Sequence, residues 1–173
     1  EHPVLTHFSA VFPAGKVSCI TGPSGKGKTT LLRLLMGLET PDSGSIEGIS
    51  GQRVSVVFQE SRLCDNLSAP ANIRLVSPGL RRSEILAAME EVGLVGCADQ
   101  PVREFSGGMR RRVAILRALL AEYDLLLLDE PFKGLDSETK GLVMADTVRR
   151  TRGKTVIFVT HAREEAEILG ACQ

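Results

Sequence analysis

Eight consecutive residues carry most of the architectural information in this chain: Gly22-Pro23-Ser24-Gly25-Lys26-Gly27-Lys28-Thr29. They fit the pattern G-x-x-x-x-G-K-[ST] in full, and they lie between a short β-prone run and a helical pattern, as a phosphate-binding loop does. The glycines let backbone N–H groups form an anion-binding nest with the N-terminus of the next helix. The stretch therefore predicts a phosphate site in which Lys28 adds positive charge and Thr29 ligates Mg²⁺. The alternative is a glycine-rich turn with an incidental lysine.

Short apolar runs and helical patterns alternate on both sides of this loop. Residues 17–20, 54–58, 125–128 and 155–160 are typical of buried strands. The predicted helices run from the loop to Leu35 and over residues 69–76, 83–92 (with Ser83 as N-cap), 106–120 (with Ser106 as N-cap), 137–151 and 163–169. Strands that are apolar on both faces fit a parallel sheet covered by helices. The pattern therefore predicts an α/β core over residues 1–60 and 122–173, interrupted by a helical subdomain over residues 61–121.

Charge and aromatic content make nucleic acid an unexpected partner. Twenty-one basic and twenty-one acidic residues give a formal net charge of zero, so no global basic field exists. With six Phe, one Tyr and no Trp, a platform for stacking bases is not expected. The arginines at 110–112 and at Arg149, Arg150 and Arg152 are interpreted mostly as solvated helix faces.

The cysteines and the hydropathy pattern point to a reduced chain that does not itself cross a membrane. Cys19, Cys64, Cys97 and Cys172 form no CxxC pair and have no histidine at zinc spacing, so they are interpreted as reduced small hydrophobic residues. No apolar run approaches the ~20 residues that a membrane helix needs. Contact with a membrane is therefore expected to go through a partner.

A pair of carboxylates follows the most apolar run of the chain. Asp129 and Glu130 come directly after four leucines, at the carboxyl end of a predicted core strand. Ligands of open α/β sheets bind at that edge. Asp129 is thus a candidate holder of Mg²⁺ and Glu130 a candidate to polarise an attacking water. The alternative is an ordinary acidic strand end that caps the next turn.

A second glycine-rich helix start occurs at Ser106-Gly107-Gly108-Met109. Glycine in a helix is less favourable than alanine by roughly 1 kcal/mol, so two together favour a functional reason such as close approach of an anion. Taken alone, the motif would be interpreted as a capping serine with flexible glycines.

The order of these motifs, together with Gln59, Gly134-Leu135-Asp136 and His161, resembles the nucleotide-binding subunit of an ATP-binding cassette (ABC) transporter. The resemblance covers essentially the whole chain. It implies an α/β fold with a RecA-like P-loop NTPase core, a parallel sheet and an inserted α-helical subdomain. It also implies ATP and Mg²⁺ as bound species and ATP hydrolysis as the activity.

The resemblance also implies a role for each matching residue. Glu130 resembles the catalytic base, Gln59 the residue that touches Mg²⁺ and the lytic water, and His161 the histidine that contacts the γ-phosphate. The implied nucleotide-binding residues are Gly22, Pro23, Ser24, Gly25, Lys26, Gly27, Lys28, Thr29, Thr30, Ser106, Gly107, Gly108, Met109 and Asp136. Within this set, residues 106–108 resemble the signature that caps the ATP of a partner protomer, and Asp136 resembles an aspartate that crosses the dimer interface. The implied metal ligands are Thr29, Gln59 and Asp129.

The family resemblance further implies partners and a location. The expected partners are a second copy of the chain, a transmembrane permease that docks near residues 63–67, and an external solute-binding protein. The expected location is the cytoplasmic side of the cell membrane. Met109 and the arginines after it are similar to bacterial importers of the nitrate, sulfonate and taurine group, whereas Lys26 takes a position usually held by a small residue. The main alternative is a soluble ABC-type ATPase, which is expected to carry a long coiled coil or a tandem cassette.

Overall fold

Strands and helices alternate along the chain. The computed structural model describes residues 4–23 and 25–171. In chain order the elements are β1 (Val17–Ile20), α1 (Lys28–Leu35), β2 (Val54–Val57), α2 (Ala69–Arg74), α3 (Arg82–Glu91), a 3₁₀ turn (Val102–Glu104), α4 (Gly107–Leu120), β3 (Leu125–Asp129), α5 (Ser137–Arg150), β4 (Thr155–Val159) and α6 (Arg163–Ile168). Each strand and helix predicted from the sequence is confirmed within a few residues of its expected bounds.

The strands form one parallel sheet in the order β1-β4-β3-β2. The register pairs Val57 with Leu128 and Asp129 with Val159, so neighbouring strands end at nearly the same level. The segments that follow all four strands therefore meet at one edge of the sheet, which is where ligands of such sheets bind.

The central strand β3 separates two apolar layers. Leu125 and Leu127 pack in one cluster with the buried leucines of α1. Leu126 and Leu128 point to the opposite face and pack with buried side chains of α4 and α5. This alternation confirms the prediction of a parallel sheet covered on both faces by helices.

Helices α2, α3 and α4 lie between β2 and β3 in the sequence. Their buried side chains, such as Ile73 and Ile85, belong to the same apolar cluster as Leu126 of the sheet. The loop before α2 is held by the fully buried Asn72, whose Oδ1 accepts from the Cys64 N–H at 2.8 Å. The apolar interior is thus continuous from the insertion to the sheet, and the division into 1–60 plus 122–173 and 61–121 stays a prediction.

The start of α3 differs from the prediction. Ser83 was expected to be the N-cap, but the helix begins at Arg82 and Ser83 lies within its first turn. The N–H of Arg81 donates to Oε2 of Glu84 at 2.8 Å. A glutamate three residues after the cap thus satisfies a backbone donor at this helix start.

The described cysteines Cys19, Cys64 and Cys97 are free, and they differ in burial: Cys97 is buried, whereas Cys64 is exposed. Cys172 lies outside the described residues. Within residues 4–23 and 25–171, no helix combines the length and the apolar character needed to cross a membrane.

Candidate functional site

The phosphate-binding loop connects the end of β1 to the start of α1. Gly27 precedes the helix with a φ of 77°, in the left-handed region that favours glycine. A Cβ at this position would lie only 2.8 Å from Cγ1 of Val4, so a larger residue would require that side chain to move as well as a strained backbone. No side chain caps α1 at Gly27, so the first N–H groups of the helix need another acceptor. This arrangement is suited to an anion.

The amine of Lys28 lies over the same loop. Its Nζ donates to the carbonyl oxygens of Gly22 at 2.7 Å and Pro23 at 2.8 Å. These contacts place a positive charge at the mouth of the loop. Ser24 lies outside the described residues.

Two oxygen ligands meet between α1 and β3. Thr29 Oγ1 donates to Oδ2 of Asp129 at 3.1 Å. Burial raises the pKa of Asp129 above its ordinary value, and the hydrogen bond from Thr29 opposes that rise. The described residues contain no group of three or more His, Cys, Asp or Glu side chains that could hold a metal ion. The pair fits Mg²⁺, which is usually bound by one or two protein oxygens together with phosphate oxygens and water.

Glu130 adopts an unusual backbone conformation directly after β3. Its φ is 46°, in the left-handed region that costs a non-glycine residue roughly 1–2 kcal/mol. Its Oε2 pairs with Nζ of Lys133 at 2.7 Å, and its Oε1 lies 3.0 Å from Nε2 of His161. The hydrogen bond from Lys133 is the main reason that the pKa of Glu130 is lowered, and burial opposes this effect. Glu130 is therefore ionised at neutral pH.

One cavity of about 350 Å³ collects half of the predicted residues. Those that line it are Gly25, Gly27, Lys28, Thr29, Thr30, Gln59, Asp129, Glu130 and His161. They come from the ends of all four strands and from α1. Lys26 is exposed and does not line the cavity. A phosphate-binding loop, a metal-type oxygen pair and an ionised carboxylate thus share one space.

The predicted residues from Ser106 to Met109, together with Asp136, form a second group outside this cavity, whereas Gly22 and Pro23 contact Lys28 without lining the cavity. Ser106 caps α4, since its Oγ accepts from the Met109 N–H at 3.2 Å. A Cβ on Gly108 would lie 3.7 Å from Cδ2 of Leu135, so the start of α4 adjoins the loop that leads to Asp136. Asp136 in turn caps α5 by accepting from the Thr139 N–H at 2.9 Å. None of the predicted residues from Ser106 to Met109, nor Asp136, lines the 350 Å³ cavity.

Comparison with known proteins identifies the family. The family model described as "ABC transporter" matches residues 5–133. This chain belongs to the ABC transporter family. It is an ATP-binding subunit of that family, and such subunits hydrolyse ATP.

Two kinds of relatives match this ABC subunit about equally well. The thiamine import ATP-binding protein ThiQ of Mesorhizobium japonicum is 41% identical, and the match covers 94% of this chain and 71% of the relative. The aliphatic sulfonates import ATP-binding protein SsuB 2 of Burkholderia lata is 42% identical, with 98% of this chain and 66% of the relative covered.

The fold is similar to that of solved ABC cassettes. The dimeric structure of a post-hydrolysis state of the ATP-binding cassette MJ0796 bound to ADP and Pi superimposes with a TM-score of 0.83. The match is 29% identical in sequence and covers 95% of this chain and 83% of that one. This confirms the predicted P-loop NTPase fold.

Two residues at the ABC site were not predicted from the sequence. Lys133 pairs with Glu130, and a lysine three residues after the carboxylate was the only available signal. Arg111 was interpreted as part of a solvated face, but only 5% of it is exposed. Helical spacing could have indicated its burial, because the apolar Ile115 and Ala118 lie four and seven residues later on the same face of the helix and are buried.

Proposed function

We propose that this subunit powers the import of a small solute across a bacterial membrane, acting as a homodimer that closes on ATP. The observation that carries the proposal is the shared cavity at the carboxyl edge of the sheet, where the phosphate-binding loop meets Asp129 and Glu130. Import is supported by the relatives, since both the thiamine and the sulfonate proteins are import ATP-binding proteins.

Phosphate binding is assigned to the loop and the start of α1. The uncapped N–H groups of α1 receive phosphate oxygens, and the helix dipole favours their negative charge. Lys28 exchanges its carbonyl acceptors at Gly22 and Pro23 for phosphate oxygens, which form stronger charge-assisted hydrogen bonds. Thr30 completes this wall of the cavity.

Metal binding is assigned to Thr29, Asp129 and Gln59. The first two are already joined by a hydrogen bond, and Gln59 lines the same cavity from the end of β2. When bound, Mg²⁺ would neutralise part of the charge that develops on the phosphates. Burial raises the pKa of Asp129, and the metal would bind the ionised form of this carboxyl group.

Water activation is assigned to Glu130. Its carboxylate is ionised at neutral pH, so it can accept the proton of an attacking water. His161 contacts one carboxylate oxygen of Glu130, and contact with the γ-phosphate is assigned to it. The left-handed backbone at Glu130 is held by its own N–H, which donates to the Val159 carbonyl at 2.9 Å.

Partner binding is proposed at the surface around residues 63–67. Leu67 is 37% exposed there. The guanidinium of Arg62 lies over the Phe58 ring, 3.9 Å from its centroid, which links this surface to the residue before Gln59. A membrane permease docked here, with the subunit on the cytoplasmic face and a solute-binding protein outside, would complete an importer.

The catalytic assignment is tested with Glu130→Gln, which keeps the side-chain shape and removes the carboxylate. We expect the hydrolysis rate to fall about 10²- to 10⁴-fold, as is usual when a general base is lost. Binding of MgATP, measured by titration with a fluorescent analogue, should change little, because the phosphate-binding loop is intact. The matched control is Glu90→Gln, at an exposed position on α3. A Glu130→Gln protein that hydrolyses ATP at the parental rate would remove Glu130 as the base.

A further inference from the structure

Arg111 is a buried cation in the fifth position of α4. The arginines on either side of it form hydrogen bonds with other parts of the protein. Arg110 contacts Val102 and Asp65, within the segment 61–121. Arg112 donates to carbonyls of the same segment. Only Arg111 of the three reaches the edge of the sheet.

The guanidinium of Arg111 is surrounded by carbonyl oxygens. Its five N–H donors match five acceptors. These are the carbonyls of Pro131 (2.7 Å from Nε), Gln59 (3.1 Å from Nη1), Phe58 (also on Nη1), Asp129 (2.9 Å from Nη2) and Glu130 (2.7 Å from Nη2). The planar guanidinium of arginine can donate to all five carbonyls, whereas the ammonium group of lysine, with three donors, cannot.

The five carbonyls belong to two segments that carry predicted catalytic residues. Phe58 and Gln59 follow β2, whereas Asp129 is the last residue of β3 and is followed by Glu130 and Pro131. One guanidinium thus spans both segments. Its bonds to the carbonyls at 129–131 bracket the left-handed residue Glu130, whose conformation needs support from its surroundings.

Because Arg111 lies on α4, its hydrogen bonds also connect this helix to the two segments. The helix begins at the Ser106-Gly107-Gly108 stretch, and Arg111 follows within little more than one turn. A shift of the helix start would therefore be passed through a rigid, fully bonded side chain to the backbone of Gln59 and Glu130. Burial lowers the pKa of Arg111, and the negative charges of Asp129 and Glu130 oppose this shift.

We propose that Arg111 is a positioning residue for ATP hydrolysis, which fixes Gln59 and Glu130 relative to the helix that starts at the signature. The proposal rests on the function proposed above, in which Glu130 activates water. Among the described residues of the phosphate-binding loop, none accepts a hydrogen bond from Arg111, so its effect is expected on turnover rather than on nucleotide affinity.

The test compares Arg111→Gln and Arg111→Lys with the matched control Arg110→Gln, measuring kcat and KM for ATP per folded molecule. Misplacing a catalytic group by about 1 Å can cost on the order of 10²-fold in rate, so kcat of Arg111→Gln should fall about 30- to 100-fold. KM should stay within about threefold of the parent. Arg111→Lys, which keeps the charge and loses the fork, should recover part of the loss. Arg110→Gln should keep the parental kcat.

Three results would overturn the proposal. One is a raised KM with parental kcat, which would make Arg111 a binding residue. Another is a kcat per folded molecule that is parental or equal to that of Arg110→Gln. The third is loss of folding in both Arg111 variants at the assay temperature, as judged by thermal melting, because the role would then be structural only.

A double variant separates this inference from the function on which it rests. In a Glu130→Gln background, Arg111→Gln should cause little further loss, because residues that act through one group are not additive. Full additivity of the two losses would contradict the proposal. If Glu130→Gln alone were fully active, the assignment of the base would fail, and the comparison of Arg111→Gln with Arg110→Gln would still decide the role of Arg111.

Discussion

The amine of Lys28 lies within hydrogen-bond distance of two carbonyl oxygens of its own loop, those of Gly22 and Pro23. Neutral carbonyls are weaker partners for an ammonium group than phosphate oxygens are. A phosphate that enters the loop can therefore take over these contacts with little movement of the side chain. The loop is thus close to its binding arrangement.

Lys28→Ala should weaken ATP binding at least tenfold. A hydrogen bond to a charged group is worth about 1.5–3 kcal/mol, and each 1.4 kcal/mol is about tenfold in affinity. Titration of a fluorescent ATP analogue against both proteins measures the change. Lys16→Ala, at an exposed lysine just before β1, is the control and should bind as the parent does. Equal affinities for Lys28→Ala and the parent would remove the loop as the nucleotide site.

Single residues differ in how far the sequence can predict them. Lys28 and Thr29 were predicted because the loop motif fixes their spacing from the glycines. The pairing of Lys133 with Glu130 was not, because it depends on the left-handed turn that follows β3. The burial of Arg111 was also missed, since a run of three arginines hides the helical phase in which one of them faces the core.

At the scale of helices and strands, prediction succeeded where a pattern is long or strongly apolar. The four leucines of β3 are buried on both faces, so no other interpretation of that run was open. The predicted start of α3 was wrong because Ser83 and Glu84 are both capping signals. The interaction between Arg81 and Glu84 decides where the first turn begins. Which of two neighbouring capping residues begins a helix depends on the local backbone geometry, which cannot be deduced from their positions in the sequence.

The starts of β2 and β3 are joined by an ion pair that should make stability depend on pH. Arg53 donates through its backbone N–H at 2.9 Å and through its guanidinium to Asp124, which lowers the pKa of Asp124 from 3.8 to about 2. A carboxyl group whose folded pKa is depressed stabilises the fold above its unfolded pKa, and this contribution is lost as the pH falls through the folded pKa. The loss should therefore occur between about pH 4 and pH 2.

Asp124→Asn should flatten this part of the pH profile. Urea denaturation followed by circular dichroism between pH 5 and pH 3 is the measurement. The variant should have a lower midpoint than the parent at pH 5, and the difference should shrink as the pH falls. Asp99→Asn is the control. It removes an exposed ion pair with the guanidinium of Arg82 and does not affect a hydrogen bond from a backbone N–H. A difference that persists unchanged at pH 3 would show that the charge of Asp124 is not the cause.

At the scale of the whole molecule, the predicted site is divided between two places on one chain. The cavity at the sheet edge holds the phosphate-binding loop and Glu130, whereas Ser106, Gly108 and Asp136 lie in the second group near Leu135. Both places offer a helix start, and Ser106 and Gly107 at the start of α4 are exposed. The solved ABC cassette to which this fold is similar is dimeric, and the head-to-tail pair in which the second group of one copy covers the cavity of the other stays a prediction.

A trapped dimer is the expected consequence of this division. Glu130→Gln, which keeps the phosphate-binding loop, should accumulate as an ATP-dependent dimer on a sizing column, whereas the parent should elute mainly as a monomer. Adding Ser106→Arg should abolish the dimer, because a bulky side chain would be buried at the second phosphate site without a matched partner. Ser106→Ala is the matched control, since it also loses the cap of α4, worth about 1 kcal/mol, but adds no bulk, and it should retain at least part of the dimer. If the Ser106→Arg double variant still dimerises with ATP, the signature does not close over the nucleotide of the partner, and the two helix starts serve separate purposes.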